Sequence, residues 1–385
     1  MKRIYLDNAA ATPINLKVRR AMFDAMAMAG NPSSYNNDGR QAAQALAKAR
    51  LSVARFLGAR PGEIIFTSSG SEANALAIAG IFRSYQSSRR KRLLASAIEH
   101  PSVIQTLKLL TKDGAKVKEL TVDKEGLINP ADLKNLILAD TLLVSVMYAN
   151  NEIGTIEPIR EIGKIIQEHR LRHQTEFPLL HVDACQAVEY LDMNVHNLGA
   201  DLVTFNGSKI YGPRGIGALY VRRGIKIVPL VPGTQELGRR GGTENLPAII
   251  GLAEALRHIN RPAGLETARL RDYFIEKLIE CVPDAVIHGA GGDNRLPNNI
   301  SFSVPGIESE NTLLELDKFG VNAGSGSACA ARSIEPSHVL KAIGVKAPYL
   351  GAIRFSLGRQ TTKKDLDYVL KVLPAIVKRL RKRYA

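Results

Sequence analysis

Short apolar segments alternate with amphipathic segments over the first two thirds of the chain. In segment 39–58, Ala42, Leu46, Ala49 and Val53 recur at the spacing of one buried helix face. The apolar segments between such helices are predicted strands, at 64–67, 92–100, 115–122, 141–152, 178–186, 202–205 and 215–221. Mostly apolar strands that alternate with helices predict an α/β fold, in which helices cover both faces of a mainly parallel sheet.

This regular alternation ends near the turn RPAGLE at 261–266. A long helix, a few short strands and a final amphipathic helix from Lys363 follow it, which is typical of a smaller α+β unit. We therefore predict a large domain at 15–260. The small domain comprises 261–385 and the N-terminal arm 1–14.

Polar residues that could bind a ligand or take part in catalysis follow the predicted strands. In a mainly parallel sheet, ligands bind beyond the carboxyl ends of the strands, so side chains at those ends converge. The candidates at strand ends are His100, Asn151, Asp183, Gln186 and Lys209. The turn Ser69-Gly70-Ser71 lies between a strand and a helix expected from about Glu72. Such a turn can bind a phosphate at the helix N-terminus, although a plain N-cap by Ser71 would give the same pattern.

Asp183 and Lys209 at the ends of two neighbouring strands suit pyridoxal phosphate. The lysine amine forms a Schiff base with the cofactor aldehyde, and the carboxylate keeps the pyridine nitrogen protonated, so that the ring accepts electrons. The alternative is a surface lysine in a loop together with an aspartate that caps a helix. The convergence of the other strand-end residues favours the cofactor.

Composition narrows the class of protein. The 385 residues are 45% apolar and 23% charged, as in globular proteins, and no segment suggests a membrane span or a signal peptide. Three cysteines without metal-site spacing predict no resident metal and a reduced, cytoplasmic location. The net charge of +15 and the basic segments 87–92 and 377–385 allow binding to an acidic protein or to RNA. No aromatic residues interleave with them, as single-strand binding would require.

Ten further motifs stand in order along the whole chain: YLDNAAATP, NPSS…GR, SSGSEAN, EHPSV, NNEIG, HVDACQ, SKIYGPRGIGALYV, RRGGTEN, GSACAARSIEPSHVL and IRFSLGR. Together they resemble the motifs of cysteine desulfurases of the NifS/IscS type. These are pyridoxal-phosphate enzymes of the class V aminotransferase group with fold type I, which implies a mainly parallel seven-stranded sheet between helices.

The resemblance implies a role for each strand-end residue. Lys209 would carry the cofactor and move protons, Asp183 would pair with the pyridinium nitrogen, and His100 would stack on the ring. Gly70 and Ser71 would bind the phosphate.

Four further residues complete the implied site. Asn151 and Gln186 would lie near the phenolic oxygen of the cofactor, and Asn151 would also contact the substrate. Thr243 would reach the phosphate from the second subunit of a homodimer. Arg354 would bind the substrate carboxylate, for which a planar bidentate donor is suited; the alternative is a charge on a surface strand.

The resemblance makes Cys329 the nucleophile. It lies in NAGSGSACAARSIE, a segment of small residues, and its thiolate would take the sulfur of L-cysteine as a persulfide and leave L-alanine. The spacing to SIEPSHVL resembles the long-loop group, which passes sulfur to an acceptor protein for iron–sulfur cluster assembly or tRNA thiolation. Cys329 would then also be a candidate transient ligand of a cluster. Cys185 and Cys281 are predicted to be structural.

Three positions depart from the family pattern. Ser208 precedes the lysine where histidine is usual, and with Asn206 it would offer the phosphate uncharged donors. Asn36 also replaces a usual histidine, and Leu237 a usual arginine. Two other functions stay open: a lyase for selenocysteine or cysteine sulfinate, and a non-catalytic adaptor that binds RNA or protein.

Overall fold

The computed structural model describes residues 3–326, 337–346 and 351–384. Its strands are β1 (Ile4–Tyr5), β2 (Ile64–Thr67), β3 (Arg92–Ser96), β4 (Lys116–Leu120), β5 (Thr141–Met147), β6 (Leu179–Asp183), β7 (Leu202–Asn206), β8 (Gly217–Val221), β9 (Val286–Ile287), β10 (Asn299–Ser303), β11 (Val321–Asn322), β12 (Gly324–Ser325) and β13 (Ile353–Ser356).

Helices flank and connect these strands. They are α1 (Leu16–Met26), α2 (Asn37–Leu57), α3 (Gly70–Ala75), α4 (Ile81–Ser84), α5 (Pro101–Lys112), α6 (Pro130–Leu136), α7 (Ile159–Arg172), α8 (Val195–Leu198), α9 (Gln235–Gly238), α10 (Leu246–Arg257), α11 (Ala263–Cys281), α12 (Ser309–Lys318), α13 (His338–Ala342) and α14 (Lys363–Tyr384). A π-helical turn, Leu76–Gly80, joins α3 to α4. Asn36, one of the unusual residues, caps α2, since its Oδ1 accepts from Gly39 N at 2.8 Å.

The central sheet has seven strands in the order β2-β8-β7-β6-β5-β3-β4. Within it, β8 is antiparallel to both of its neighbours and the other pairs are parallel. Separate apolar clusters cover the two faces, one under α2, α7 and α10 and the other under α3 and α5. The predicted α/β fold with a mainly parallel seven-stranded sheet is confirmed.

The central strand β5 has the apolar composition of a buried strand, but it ends earlier than the sequence predicts. Every residue of β5 is buried, as expected for a parallel strand covered on both faces. The prediction that this strand continues to Glu152 is wrong, since β5 ends at Met147. Asn150 turns the chain, because its Oδ1 accepts from the backbone N–H groups of Glu152 and Ile153. The loop that results places Asn151 and Glu152 beyond the end of the sheet.

A second, smaller sheet has the order β12-β13-β10-β9, and β1 pairs in parallel with β11. Ile4 and Leu6 from the N-terminal arm are buried in one apolar cluster with residues of β10, β13 and α14. The periodicity along the sequence does not predict β11, β12 and α13, because each is too short to show a repeat. The domain limits at 14 and 260 stay a prediction.

Charged residues of the basic segment 87–92 contact the protein surface. Arg90 donates to Ala139 O and lies over the ring of Phe177, at 4.7 Å from its centroid. In the described part of the chain, no helix is long and apolar enough to cross a membrane. Within the same residues, no group of three or more His, Cys, Asp or Glu side chains could hold a metal ion.

Candidate active site

A cavity of about 330 Å³ lies beyond the carboxyl ends of the parallel strands. Its volume is within the range of small-molecule sites. The structure brings ten of the predicted residues together at its wall: Gly70, Ser71, His100, Asn151, Asp183, Gln186, Asn206, Ser208, Lys209 and Arg354. Convergence at this edge of the sheet follows from the parallel arrangement of β3, β5, β6 and β7.

One end of the cavity can hold a phosphate at the start of α3. Ser69 caps this helix, because its Oγ accepts from Glu72 N at 3.1 Å. The predicted helix start near Glu72 and the alternative of a cap by Ser71 are therefore wrong. Gly70 and Ser71 belong to the first turn, whose N–H groups no carbonyl of the same helix can reach. A Cβ on Gly70 would lie 2.7 Å from Cys185 Sγ and 2.9 Å from Asn206 Nδ2, so glycine keeps this corner open.

Asn206 and Ser208 lie opposite that turn, at the end of β7. The Ser208 hydroxyl donates to Asn206 Oδ1 at 3.1 Å, which orients the Asn206 amide group. These two side chains add hydrogen-bonding capacity without charge to the corner formed by Gly70.

Asp183 ends β6 and is 5% exposed. Its Oδ1 accepts from Cys185 N at 3.0 Å, and its Oδ2 accepts from Asn74 Nδ2 at 2.7 Å. We did not select Asn74 from the sequence, although it is the last residue of SSGSEAN. Asn74 lies four residues after Gly70, so both are on one face of the helix. This spacing is the feature of the sequence that indicates Asn74 as a site residue.

His100 caps α5, and its ring lies on the cavity wall. Burial and the nearby Lys209 lower the pKa of His100, while the charge of Asp183 opposes the change. These effects together favour the neutral form of the ring. Since Nδ1 accepts from Ser102 N at 3.1 Å, the proton of the neutral ring belongs on Nε2. Asn74 also donates to Ser102 Oγ at 3.0 Å, so hydrogen bonds connect the neighbourhoods of His100 and Asp183.

Lys209 contacts the N-terminal arm. Its Nζ donates to the carbonyl oxygens of Ala9, at 2.8 Å, and Ala10. Gln186 Nε2 donates to the same Ala9 oxygen at 3.0 Å. The sequence motif DNAAATP did not indicate that Ala9 and Ala10 would line the cavity, because their contribution comes from the backbone rather than from their side chains.

Arg354 lies in β13 and is only 1% exposed. The alternative of a surface charge is therefore wrong. Its Nη2 contacts Asp7 Oδ1 at 2.9 Å, and its Nη1 donates to Asn151 O at 2.9 Å and to Gly326 O at 3.3 Å. Among the described residues, no hydrogen-bond acceptor contacts its buried Nε. A buried cationic donor of this kind favours a carboxylate ligand.

The structure distinguishes the remaining predicted residues. Cys329 lies in 327–336, outside the described residues. Thr243 is exposed and is not part of the wall of the cavity in its own chain. Burial, followed by the charge of Asp183, raises the pKa of the Cys185 thiol well above its usual value, and burial raises the pKa of Cys281. Cys281 lies in α11 and donates to Lys277 O, away from the cavity. Neither environment favours a reactive thiolate.

The donor set fits pyridoxal phosphate. Gly70, Ser71, Asn206 and Ser208 offer donors for a phosphate, and the neutral ring of His100 offers a flat surface. Asp183 is held in place by two hydrogen bonds and can accept a third from a ring nitrogen. Among the described residues that line the cavity, Lys209 supplies the only side-chain amine.

Comparisons with known proteins agree with this geometry. Residues 4–369 match the family described as aminotransferase class-V. The chain is 45% identical to cysteine desulfurase IscS of Dictyoglomus turgidum, over 99% of this chain and 96% of that protein. A solved NifS-like protein superimposes with a TM-score of 0.90 at 33% identity, covering 98% of this chain and 100% of that one. The solved structure described as SspA in complex with cysteine superimposes with a TM-score of 0.81 at 34% identity, covering 92% of this chain and 99% of that one.

Proposed function

The chain belongs to the class-V aminotransferases and, within them, to the cysteine desulfurases, and we propose that it takes sulfur from L-cysteine as a persulfide on Cys329 and releases L-alanine. It depends on pyridoxal 5′-phosphate, as this family does. The observation that carries the proposal is the convergence of an amine, a carboxylate and a buried guanidinium in one cavity: Lys209, Asp183 and Arg354.

Each of these groups has a defined task in an amino-acid reaction. When bound, pyridoxal phosphate supplies an electron sink that stabilises negative charge at the α carbon of the substrate. Arg354 binds the substrate carboxylate through its guanidinium group, which lies at the cavity wall. Lys209 removes and returns the α proton through Nζ. Asp183 keeps a ring nitrogen charged, and His100 holds the ring plane.

Sulfur transfer needs a protein thiol, and we assign this role to Cys329. The raised pKa values of Cys185 and Cys281 disfavour a thiolate at either position. We further propose that the persulfide sulfur passes to an acceptor protein. The name IscS of the Dictyoglomus relative favours iron–sulfur cluster assembly as the destination, and tRNA thiolation through an acceptor is the second candidate. The net charge of +15 would favour an acidic acceptor.

The substrate can be tested by comparing three amino acids. We expect the purified holoenzyme to release alanine from L-cysteine in a reaction that needs Cys329. L-selenocysteine and L-cysteine sulfinate can react without a protein thiol, so loss of Cys329 should change their turnover by less than about threefold. Alanine release is measured for each substrate with wild type and Cys329→Ala. Equal rates for L-cysteine in the two proteins would favour the lyase alternative instead.

A homodimer is the second part of the proposal. Large apolar side chains are exposed on one face of α1: Leu16 is 69% exposed, Phe23 73% and Met26 64%. Tyr35 and Leu237 are also exposed, at 95% and 77%. An exposed apolar helix face such as that of α1 supports a partner subunit. Thr243, exposed in the single chain, would then reach the cavity of the second subunit.

Light scattering during size-exclusion chromatography checks the dimer. We expect the wild-type mass to be that of two chains, and Phe23→Glu to shift it toward one chain, because a buried carboxylate at the interface would be unpaired. Leu265→Glu is the matched control, since Leu265 is 69% exposed in α11, on the smaller lobe. A wild-type monomer at micromolar concentration, or an equal effect of both variants, would contradict the proposed interface.

We place the enzyme in the cytoplasm, a proposal supported by the low cysteine content. The alternative of a non-catalytic adaptor lacks support, because Lys209, Asp183 and Arg354 line one cavity.

A further inference from the structure

The segment that contains Cys329 is flanked by two residues that approach the same carboxylate. Gly326 precedes residues 327–336 and Ser337 follows them. The Ser337 hydroxyl donates to Glu152 Oε2 at 2.5 Å. A Cβ on Gly326 would stand 3.0 Å from the same oxygen, so Gly326 lies close to it. Glu152 is therefore bonded to Ser337 on one side of the proposed nucleophile and lies near Gly326 on the other.

Glu152 is rigidly placed beside the substrate site. It is 3% exposed, lines the cavity and follows Asn151 in the loop after β5. Its backbone N–H donates to Asn150 Oδ1 at 2.8 Å, and its carbonyl accepts from Asn299 Nδ2 at 3.2 Å. The next residue, Ile153, is held by Arg295 Nη1 at 3.1 Å. These bonds from β10 and its preceding turn fix the position of the Glu152 backbone.

The hydrogen bond from Ser337 counteracts the effect of burial on the pKa of Glu152. Burial raises the pKa of Glu152, and the Ser337 hydrogen bond is the largest of the effects that lower it, followed by the charges of His338 and Arg354. His338 is itself held, since its Nε2 contacts Glu99 O at 2.9 Å. The start of α13 is thus attached to the loops that follow β3 and β5, which also carry His100 and Asn151.

The other side of the segment is attached to the substrate site as well. Gly326 O accepts from Arg354 Nη1 at 3.3 Å, and Gly326 N donates to Ala352 O at 3.2 Å. Arg354 is the residue to which we assign the substrate carboxylate. The chain on both sides of Cys329 is therefore bonded to residues that surround the substrate.

We propose that Glu152 is a positioning residue for sulfur transfer to Cys329, which acts through its hydrogen bond to hold Ser337 and the start of α13 at the substrate site. This inference rests on the proposed function. In the step concerned, a bond forms between the Cys329 sulfur and the substrate sulfur, and the substrate carbon–sulfur bond breaks. Its electron pair remains with carbon, which then takes a proton to give alanine. The substrate carbon is reduced, and the sulfur that leaves it is oxidised to the sulfane level in the persulfide. The two changes balance, so the step needs no external oxidant or reductant.

Two substitutions at Ser337 separate this role from helix capping. Ser337 also caps α13, as its Oγ accepts from Val339 N at 3.1 Å and Leu340 N at 3.4 Å. Aspartate and asparagine both cap helices well. In Ser337→Asp the hydroxyl donor is replaced by a second carboxyl beside Glu152, and two carboxyls so close cannot both be charged without repulsion. In Ser337→Asn the amide N–H can still donate. We expect S337D to lower kcat by about tenfold, and S337N to stay within about threefold of wild type.

A double variant tests the bond itself. In Glu152→Gln the side-chain amide can donate to the carboxylate that S337D introduces, so E152Q combined with S337D reverses the direction of the hydrogen bond. We expect the pair to recover most of the rate lost in S337D. The measurements are kcat and KM for alanine release, persulfide on Cys329 by mass spectrometry after alkylation, and the absorbance change of the bound cofactor on adding L-cysteine. In S337D, kcat and persulfide should fall while KM and the absorbance change stay.

The outcomes separate this inference from the proposed function. If Cys329→Ala releases alanine normally, the proposed function fails. If Cys329→Ala is inactive but S337D and S337N are equally slow, the effect is due to capping or folding and the positioning role is overturned. Loss of cofactor from S337D, or a double variant slower than S337D, would overturn it as well. Slow S337D, active S337N and recovery in the double variant would support it.

Discussion

Replacing Cys329 by alanine is expected to lower alanine release from L-cysteine by more than about 10³-fold. The reason is that the substrate sulfur then has no protein nucleophile to accept it, while the residues that hold the cofactor are unchanged. The bound cofactor should keep its absorbance, and L-cysteine should still alter it, because Arg354 and Lys209 remain. Alanine release and the absorbance spectrum, recorded on the same preparation, check both parts.

Cys281→Ala is the matched control for removing a thiol. Cys281 lies in α11 and contacts Lys277 O, outside the cavity, so its loss should leave alanine release within about twofold of wild type. A Cys329→Ala enzyme with a tenth or more of the wild-type rate would show that another group accepts the sulfur.

Replacing Lys209 by alanine should have an effect of similar size. We expect alanine release to fall by about 10³-fold or more, because the variant lacks both the amine that holds the cofactor covalently and the base that moves the α proton. The absorbance of covalently bound cofactor should be lost. Spectra of the purified protein and alanine release after adding excess pyridoxal phosphate measure the two effects separately.

Lys209→Arg tests whether charge alone is sufficient. The guanidinium can still donate to Ala9 O and Ala10 O, which accept from Lys209 Nζ, but it does not form the covalent link to an aldehyde. We expect Lys209→Arg to be as inactive as Lys209→Ala. Substantial activity in either variant would remove Lys209 from its assigned role.

Much of the fold could be predicted because its signal is local. Apolar strands buried on both faces and helices with one buried face leave periodic patterns within a few residues of each other. The end of β6 at Asp183 and of β7 before Lys209 can be located in this way, and the parallel sheet then brings both residues to one edge. The strand after Thr141 was predicted too long, because side-chain hydrogen bonds of Asn150 turn the chain where its composition still permits a strand.

Parts of the candidate site could not be predicted because they depend on backbone atoms or on distant partners. Ala9 and Ala10 line the cavity with carbonyl oxygens, which every residue has, so their side chains give no signal. Asn74 contacts Asp183 across more than a hundred residues of sequence. Its helical spacing from Gly70 was informative, but only with knowledge of which helix face meets β6.

The sequence alone predicted the α/β fold, which is confirmed, because periodicity is a property of neighbouring residues. Its motifs also led us to propose Asp183 and Lys209 for the cofactor and Cys329 as the nucleophile. Only the tertiary structure decided which groups restrain them. Asp7 contacts the buried Arg354, and Glu152 accepts from Ser337 beside the Cys329 segment. Such bonds join residues far apart in the chain, and their geometry follows from the packing of the smaller sheet and of the loops after β3 and β5.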